Sequence, residues 1–205
     1  MSTVTAEVLA LDAATPHAAA LERAAAVLRG GGLVAFPTET FYGLGAAAGD
    51  ARAVRRIFRV KGRDEAKPLL VLVDSIVMAE TVAEVTERAR ALMARHWPGA
   101  LTLVLRARPG VPPEVTAGTG TIGVRLSPHP VARGLVRALG LPVTAPSANP
   151  EGTPPPTTAA AVVDVFAGAI DLVLDGGATA GGPPSTVVDV TSGAPRVLRQ
   201  GAVPL

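Results

Sequence analysis

The chain has 205 residues, a formal net charge of +2, 48% hydrophobic and 18% charged residues. That composition fits one ordinary domain with a sizeable core and excludes a disordered chain. Cysteine is absent, which excludes disulfides, thiolate metal sites and a cysteine nucleophile, and His17, His96 and His129 lack ligand spacing, so no protein-held metal is expected.

Val4 to Leu11 alternates as an edge strand does. Thr15-Pro16 reads as a helix N-cap and first helical position, and Gly30-Gly31-Gly32 ends that helix. Leu33 to Phe36 is a short buried strand stopped by Pro37. Asp50 caps a basic helix running to about Val60, Leu69 to Val73 has strand length, and Asp74 can cap the short helix after it. Thr86 to Trp97 is helical, and Leu101 to Ala107 and Thr121 to Leu126 read as strands. Ser127-Pro128 opens a further helix that ends near Gly140, and Pro142 to Ala145 feeds an ordered Pro-rich loop, Pro150 to Pro156. Thr157 to Ala167 is helical, Asp171 to Leu174 is a strand, and Thr186 to Val190 pairs with Arg196 to Leu198 across the Ser192-Gly193 turn. Hairpin and crossover signals mix irregularly, which favours a mixed-sheet α/β (α+β) domain over a doubly wound parallel one. Neither a membrane-spanning run nor a signal-peptide pattern is visible, and a cytoplasmic protein is expected.

Four segments could carry chemistry. Thr38-Glu39-Thr40, with Tyr42 and Gly43 close behind, sets hydroxyls and free amides after a strand, which suits a small polar ligand. Arg52 to Lys67 carries seven basic residues against Asp64 and Glu65 and holds the only two lysines, Lys61 and Lys67, in a chain that otherwise uses Arg. A site wanting compact ammonium groups, phosphate being the usual anion, accounts for that pair. Ser147 and Asn149 leave a strand two residues apart and so face the same way. Gly181-Gly182-Pro183-Pro184-Ser185-Thr186 is a loop landing on a strand. There is no GxxxxGK[ST], no GxGxxG and no GxSxG, so a Walker loop, a dinucleotide fold and a nucleophile elbow have no support.

The ordered set Phe36-Pro37-Thr38-Glu39-Thr40-x-Tyr42-Gly43-Leu44, Lys61-x-Arg63, Lys67-Pro68-Leu69, Trp97-Pro98-Gly99, Gly123-Val124-Arg125, Ala145-Pro146-Ser147-Ala148-Asn149, Ser185-Thr186-Val187 and Leu198-Arg199-x-Gly201 resembles the YrdC/Sua5 family in its short, single-domain form. The likeness runs from about residue 21 to residue 201. It departs from the family at Asp64, where Pro often follows the Lys-x-Arg, and at Pro184, where the longer members often have Glu.

The resemblance implies one domain over residues 1–205, without the second C-terminal domain of the longer members. It also implies a twisted mixed β-sheet with helices around a positively charged concave cavity. It implies synthesis of threonylcarbamoyl-AMP and pyrophosphate from L-threonine, bicarbonate or CO2, and ATP, with Mg2+ as the nucleotide's counter-ion. The product would pass to a separate transferase complex that makes t6A in tRNA. By the same resemblance Lys61, Arg63, Lys67, Thr121, Ser147, Asn149 and Arg199 face ATP, with Lys61 and Arg63 the catalytic candidates. Thr38, Arg125, the backbone near Ala145, and Ser185 hold threonine, Arg125 being suited to grip its carboxylate with two parallel hydrogen bonds. The rival readings are an RNA-binding module and a nucleotide-binding module without turnover. Four Phe, one Tyr and one Trp are few for stacking on bases, so RNA binding is expected to be weak at most.

Overall fold

The structure, a computed structural model, describes residues 6–166 and 168–205. Among them the chain forms, in order, β1 (Glu7–Ala10), α1 (Ala18–Arg29), β2 (Val34–Pro37), β3 (Tyr42–Gly45), α2 (Ala51–Lys61), β4 (Leu70–Leu72), α3 (Ile76–Val82), α4 (Glu87–His96) and β5 (Leu101–Arg106). There follow α5 (Pro113–Thr116), β6 (Thr121–Arg125), α6 (Pro130–Leu139), β7 (Val143–Thr144), α7 (Ala159–Phe166), β8 (Leu172–Asp175), β9 (Thr186–Asp189) and β10 (Arg196–Arg199). No described helix is long and apolar enough to cross a membrane.

The helix starts follow side-chain capping. Asp50 Oδ1 accepts from the amides of Arg52 and Ala53, and Gly62 ends α2 in the left-handed region at φ 59°. Three starts differ from the sequence reading. Thr15 does not cap α1, because its amide and that of Ala14 are held by Asp12 Oδ1; His17 Nδ1 accepts from Ala20 N instead. Ser75, not Asp74, caps α3, Asp74 being occupied as acceptor for the Ser75 hydroxyl. Helix α6 starts at Pro130 behind the His129 cap, since the Ser127 hydroxyl is turned to Glu39. The Tyr42–Gly45 stretch is a strand rather than part of a loop. Its glycines hide the alternation, and its partner β2 supplies the order. Val4 and Ala167, the outer ends of two expected elements, lie outside the described residues.

The fold is mixed α/β, as expected, and its strands lie in two sheets. One has the order β1-β8-β2-β3, the other β10-β9-β5-β6-β4-β7, and each mixes parallel and antiparallel pairs. The sheets are joined along one seam. Thr144 N donates to Ala46 O, Leu44 N to Pro146 O and Ala148 N to Tyr42 O, at 2.8–2.9 Å. The stretch Pro142 to Ala148 therefore serves both sheets. Helices α1 and α6 pack together and cover one face through Leu21, Leu28, Leu135 and Leu139. The second apolar cluster lies under the six-stranded sheet, where Leu101, Leu103 and Leu105 of β5 meet Ile122 and Val124 of β6.

That seam leaves no room at Gly45. A Cβ there would lie 2.8 Å from both Phe36 Cε1 and Val143 Cγ1, two fully buried side chains. Gly45→Ala is expected to destabilise the protein by about 1–3 kcal/mol through overpacking. Chemical denaturation checks this; an unchanged midpoint would show that the seam can open.

Candidate functional site

In β5 and β6 the period of two divides the side chains between two faces. Leu101, Leu103, Leu105, Ile122 and Val124 point into the core. Thr102, Val104, Thr121, Gly123 and Arg125 point to the other side, where they floor a cavity of about 690 Å³. Its walls come from the turn at Thr38, Thr40 and Phe41, from Arg63 after the Gly62 helix end, from Ala145, Pro146 and Ser147, and from Pro184, Ser185, Leu198 and Arg199. No Asp, Glu, His or Cys lines it, while three guanidiniums do.

Each guanidinium is held from the protein side. Arg199 Nε and Nη2 donate to Ser185 O at 3.2 and 2.8 Å, and Nη2 also reaches Ser185 Oγ at 3.2 Å. That hydroxyl lies 2.9 Å from Thr102 Oγ1. Arg63 Nη2 donates to Pro68 O at 3.1 Å, and its Nε is buried without a partner. Arg125 is 4% exposed; its Nη1 lies 3.4 Å from Glu39 Oε1, and its Nε has no hydrogen-bond partner. The Ser127 hydroxyl donates to the other oxygen of Glu39 and fixes that carboxylate. Burial pushes all three arginines below their ordinary pKa, and for Arg125 the nearby Arg199 charge adds to this while Glu39 opposes it. A guanidinium keeps its charge regardless, so the cavity lining carries positive charge, most deeply buried at Arg125.

The structure brings Thr38, Arg63, Thr121, Arg125, Ala145, Ser147, Ser185 and Arg199 onto the cavity lining. Thr38 Oγ1 donates to Phe41 O at 2.8 Å and lies 3.2 Å from Thr40 Oγ1. Lys61, Lys67 and Asn149 are not on that lining. Lys61 is buried, its Nζ donating to Ser147 O at 2.6 Å and to Asn149 O. Asn149 spends its amide on Pro150 O and Thr153 O, and its Oδ1 is buried without a partner. Lys67 pairs with Glu151, whose second oxygen accepts from Asp64 N. The two lysines thus occupy different environments, one interior and one on the surface. Tyr42 also turns out to be structural at its polar end: its hydroxyl donates to Gly177 O at 2.7 Å, and burial raises its pKa to about 12.

Sequence reasoning set Thr40 in a ligand-suited turn without assigning it a ligand, and missed Thr102 as a lining residue. Thr102 had a usable signal, a polar residue between leucines on a buried strand. Thr40 had one too, sharing the turn with Thr38. Nothing in sequence ties Thr102 to Ser185; only β5 pairing with β9 brings them together.

The arrangement has the chemistry to receive anions. It offers donors in several directions, hydroxyls for polar groups, and no acid–base pair or activated nucleophile on its lining. Among the described residues no cluster of three or more His, Cys, Asp or Glu could hold a metal ion.

A family model for Sua5/YciO/YrdC proteins, described as telomere recombination, matches residues 26–201. The chain is 47% identical over 183 residues to the threonylcarbamoyl-AMP synthase of Pyrococcus abyssi, covering 89% of this chain and 54% of that protein. It is 41% identical over 175 residues to the threonylcarbamoyl-AMP synthase of Thiobacillus denitrificans, covering 85% of this chain and 92% of that protein. The structure of P. abyssi Sua5 complexed with L-threonine matches with a TM-score of 0.93 at 43% identity, over 97% of this chain and 58% of that one. The chain thus spans about half the length of the Pyrococcus relative and nearly all of the Thiobacillus one.

Proposed function

The chain belongs to the Sua5/YciO/YrdC family, and on that premise we propose that it forms threonylcarbamoyl-AMP and pyrophosphate from L-threonine, bicarbonate or CO2, and ATP. The observation that carries this reading is the cavity lined by three guanidiniums, that of Arg125 buried, with several hydroxyls and no lining carboxylate. The names of the relatives and the threonine in the Pyrococcus structure support it.

The reaction needs placement more than bond-making groups. The threonine amine takes up CO2 as a carbamate. The new carboxylate is already a nucleophile and attacks the α-phosphorus of ATP, while pyrophosphate leaves with the electron pair of the broken P–O bond. The protein's part is to align two anions that repel each other and to stabilise the charge that grows on the phosphate oxygens. Arg63 and Arg199, both on the lining, suit the triphosphate, with Thr121 and Ser147 as hydroxyl donors. Arg125 suits the threonine carboxylate. Glu39 lies on its Nη1 side, 3.4 Å away, and Arg125 lines the cavity, from which its fork would take a carboxylate. Thr38 and Ser185 then suit the amine or hydroxyl of the substrate. With no lining carboxylate, the donor set fits Mg2+ only as a counter-ion carried by phosphate oxygens and water, where it would neutralise part of the triphosphate charge. The product, a mixed anhydride, would pass in the cytoplasm to a transferase complex acting on tRNA.

Pyrophosphate release tests the reading. It should require ATP, L-threonine and bicarbonate together. Release without threonine, or none with all three, would contradict it. Arg63→Ala should lower turnover about a hundredfold with the fold intact, a typical loss for one charge partner of the transition state; turnover and melting measured side by side check this. Arg125→Lys keeps the charge but loses the fork. It should raise the threonine KM about tenfold, roughly 1.4 kcal/mol, with little change for ATP. Calorimetric titrations of each substrate decide it: loss of ATP binding with threonine binding retained would assign Arg125 to the nucleotide.

A further inference from the structure

Lys61 ends α2 at the foot of the cavity, yet it is not on the cavity lining. It is 4% exposed, and its Nζ sits between the carbonyl oxygens of Ser147 and Asn149. Its own carbonyl accepts from Glu151 N at 2.8 Å. Three hydrogen bonds therefore tie this one residue to the stretch from Ser147 to Glu151. On its other flank the same stretch is tied to β3, by Leu44 N to Pro146 O and Ala148 N to Tyr42 O. Between these anchors Ala145, Pro146 and Ser147 form one wall of the cavity.

We propose that Lys61 is a positioning residue for this wall: its buried ammonium clamps the Ser147–Asn149 segment to the end of α2 and does not touch substrate. The proposal deepens the functional reading above and rests on it for the identity of the ligands. It explains why a lysine stands here in a chain that otherwise uses arginine. A compact ammonium fits between the Ser147 and Asn149 carbonyls, where a planar guanidinium would force them apart. It also separates the two lysines, of which Lys67 lies at the surface against Glu151.

The charged groups facing the ammonium are Arg63 from its own segment and Glu151 from the following loop. Burial, with Arg63, lowers its pKa to about 8, and Glu151 pulls the other way. At neutral pH the clamp is therefore mostly charged, and it weakens as pH rises through 8.

Because the chain has only two lysines, carbon-13 labelling of lysine gives two side-chain signals, which Lys67→Arg assigns. The Lys61 signal is expected to titrate near 8, and to shift by less than about half a unit when inorganic pyrophosphate is bound. A rise of more than about one unit would mean that phosphate lands on the ammonium, and would overturn the proposal. Calorimetry on Lys61→Met supplies the second readout. Threonine and ATP should both bind about tenfold more weakly, since the whole wall moves. A loss confined to ATP would make Lys61 a phosphate ligand and overturn the proposal. Unchanged binding of both would overturn it as well. If wild-type protein binds neither substrate, the functional reading fails, while the titration still decides where the ammonium sits.

Discussion

Three guanidiniums gathered around one cavity, with Arg125 buried, Arg63 half-buried and Arg199 more exposed, form the constraint on which the rest of this structure depends. Arginine cannot escape the cost of burial by losing its proton. Each one is therefore met by a fixed partner: Arg63 by Pro68 O, Arg199 by Ser185 O, and Arg125 by Glu39. Arg63 finds its partner five residues on and Arg199 across the β9–β10 pair, while Glu39 reaches Arg125 from a distant part of the chain through the two-sheet architecture. Strand β6 sends Arg125 to the cavity by the same alternation that sends Ile122 and Val124 to the core. Pairing of β9 with β10 carries Arg199 to Ser185, and the left-handed Gly62 turns the chain after α2 so that Arg63 faces inward. Part of two of these guanidiniums remains unpartnered, at Nε of Arg63 and of Arg125. A bound anion on the lining would offset this gathered positive charge, so affinity for anions is expected from the same arrangement.

Much of the fold was legible in the sequence because short apolar runs between turn residues carry their own limits. The strands β2, β4, β5, β6, β8 and β9 and the Asp50 cap follow from that pattern. Strand β3 did not, since Tyr42-Gly43-Leu44-Gly45 has too little side-chain patterning; its order comes from β2 and from close approach to Phe36 and Val143. The helix starts were misplaced where a polar side chain had a better use: Asp12 holds the turn before α1, and Ser127 serves Glu39. The division into two sheets was also hidden, because the seam at Pro142 to Ala148 is built of backbone hydrogen bonds that no residue type announces.

The site was legible by motif and resemblance more than by physics. Eight of the expected site residues meet on the lining, although they lie between positions 38 and 199. What the motifs could not express is depth. Lys61 and Arg63 are two residues apart, and one lies behind the wall while the other lines it, because the helix ends between them. Nor could the motifs show Glu39 and Ser127 as the support of Arg125, which is a matter of three segments meeting.

The central claim is that one cavity sorts two anionic partners, triphosphate toward Arg63 and Arg199 and the amino-acid carboxylate toward Arg125. A crystal structure of the protein with L-threonine and a non-hydrolysable ATP analogue tests it most directly. The account predicts the threonine carboxylate on Arg125, the phosphates between Arg63 and Arg199, and the threonine amine turned toward the α-phosphate. Phosphates on Arg125, or threonine outside the cavity, would contradict it.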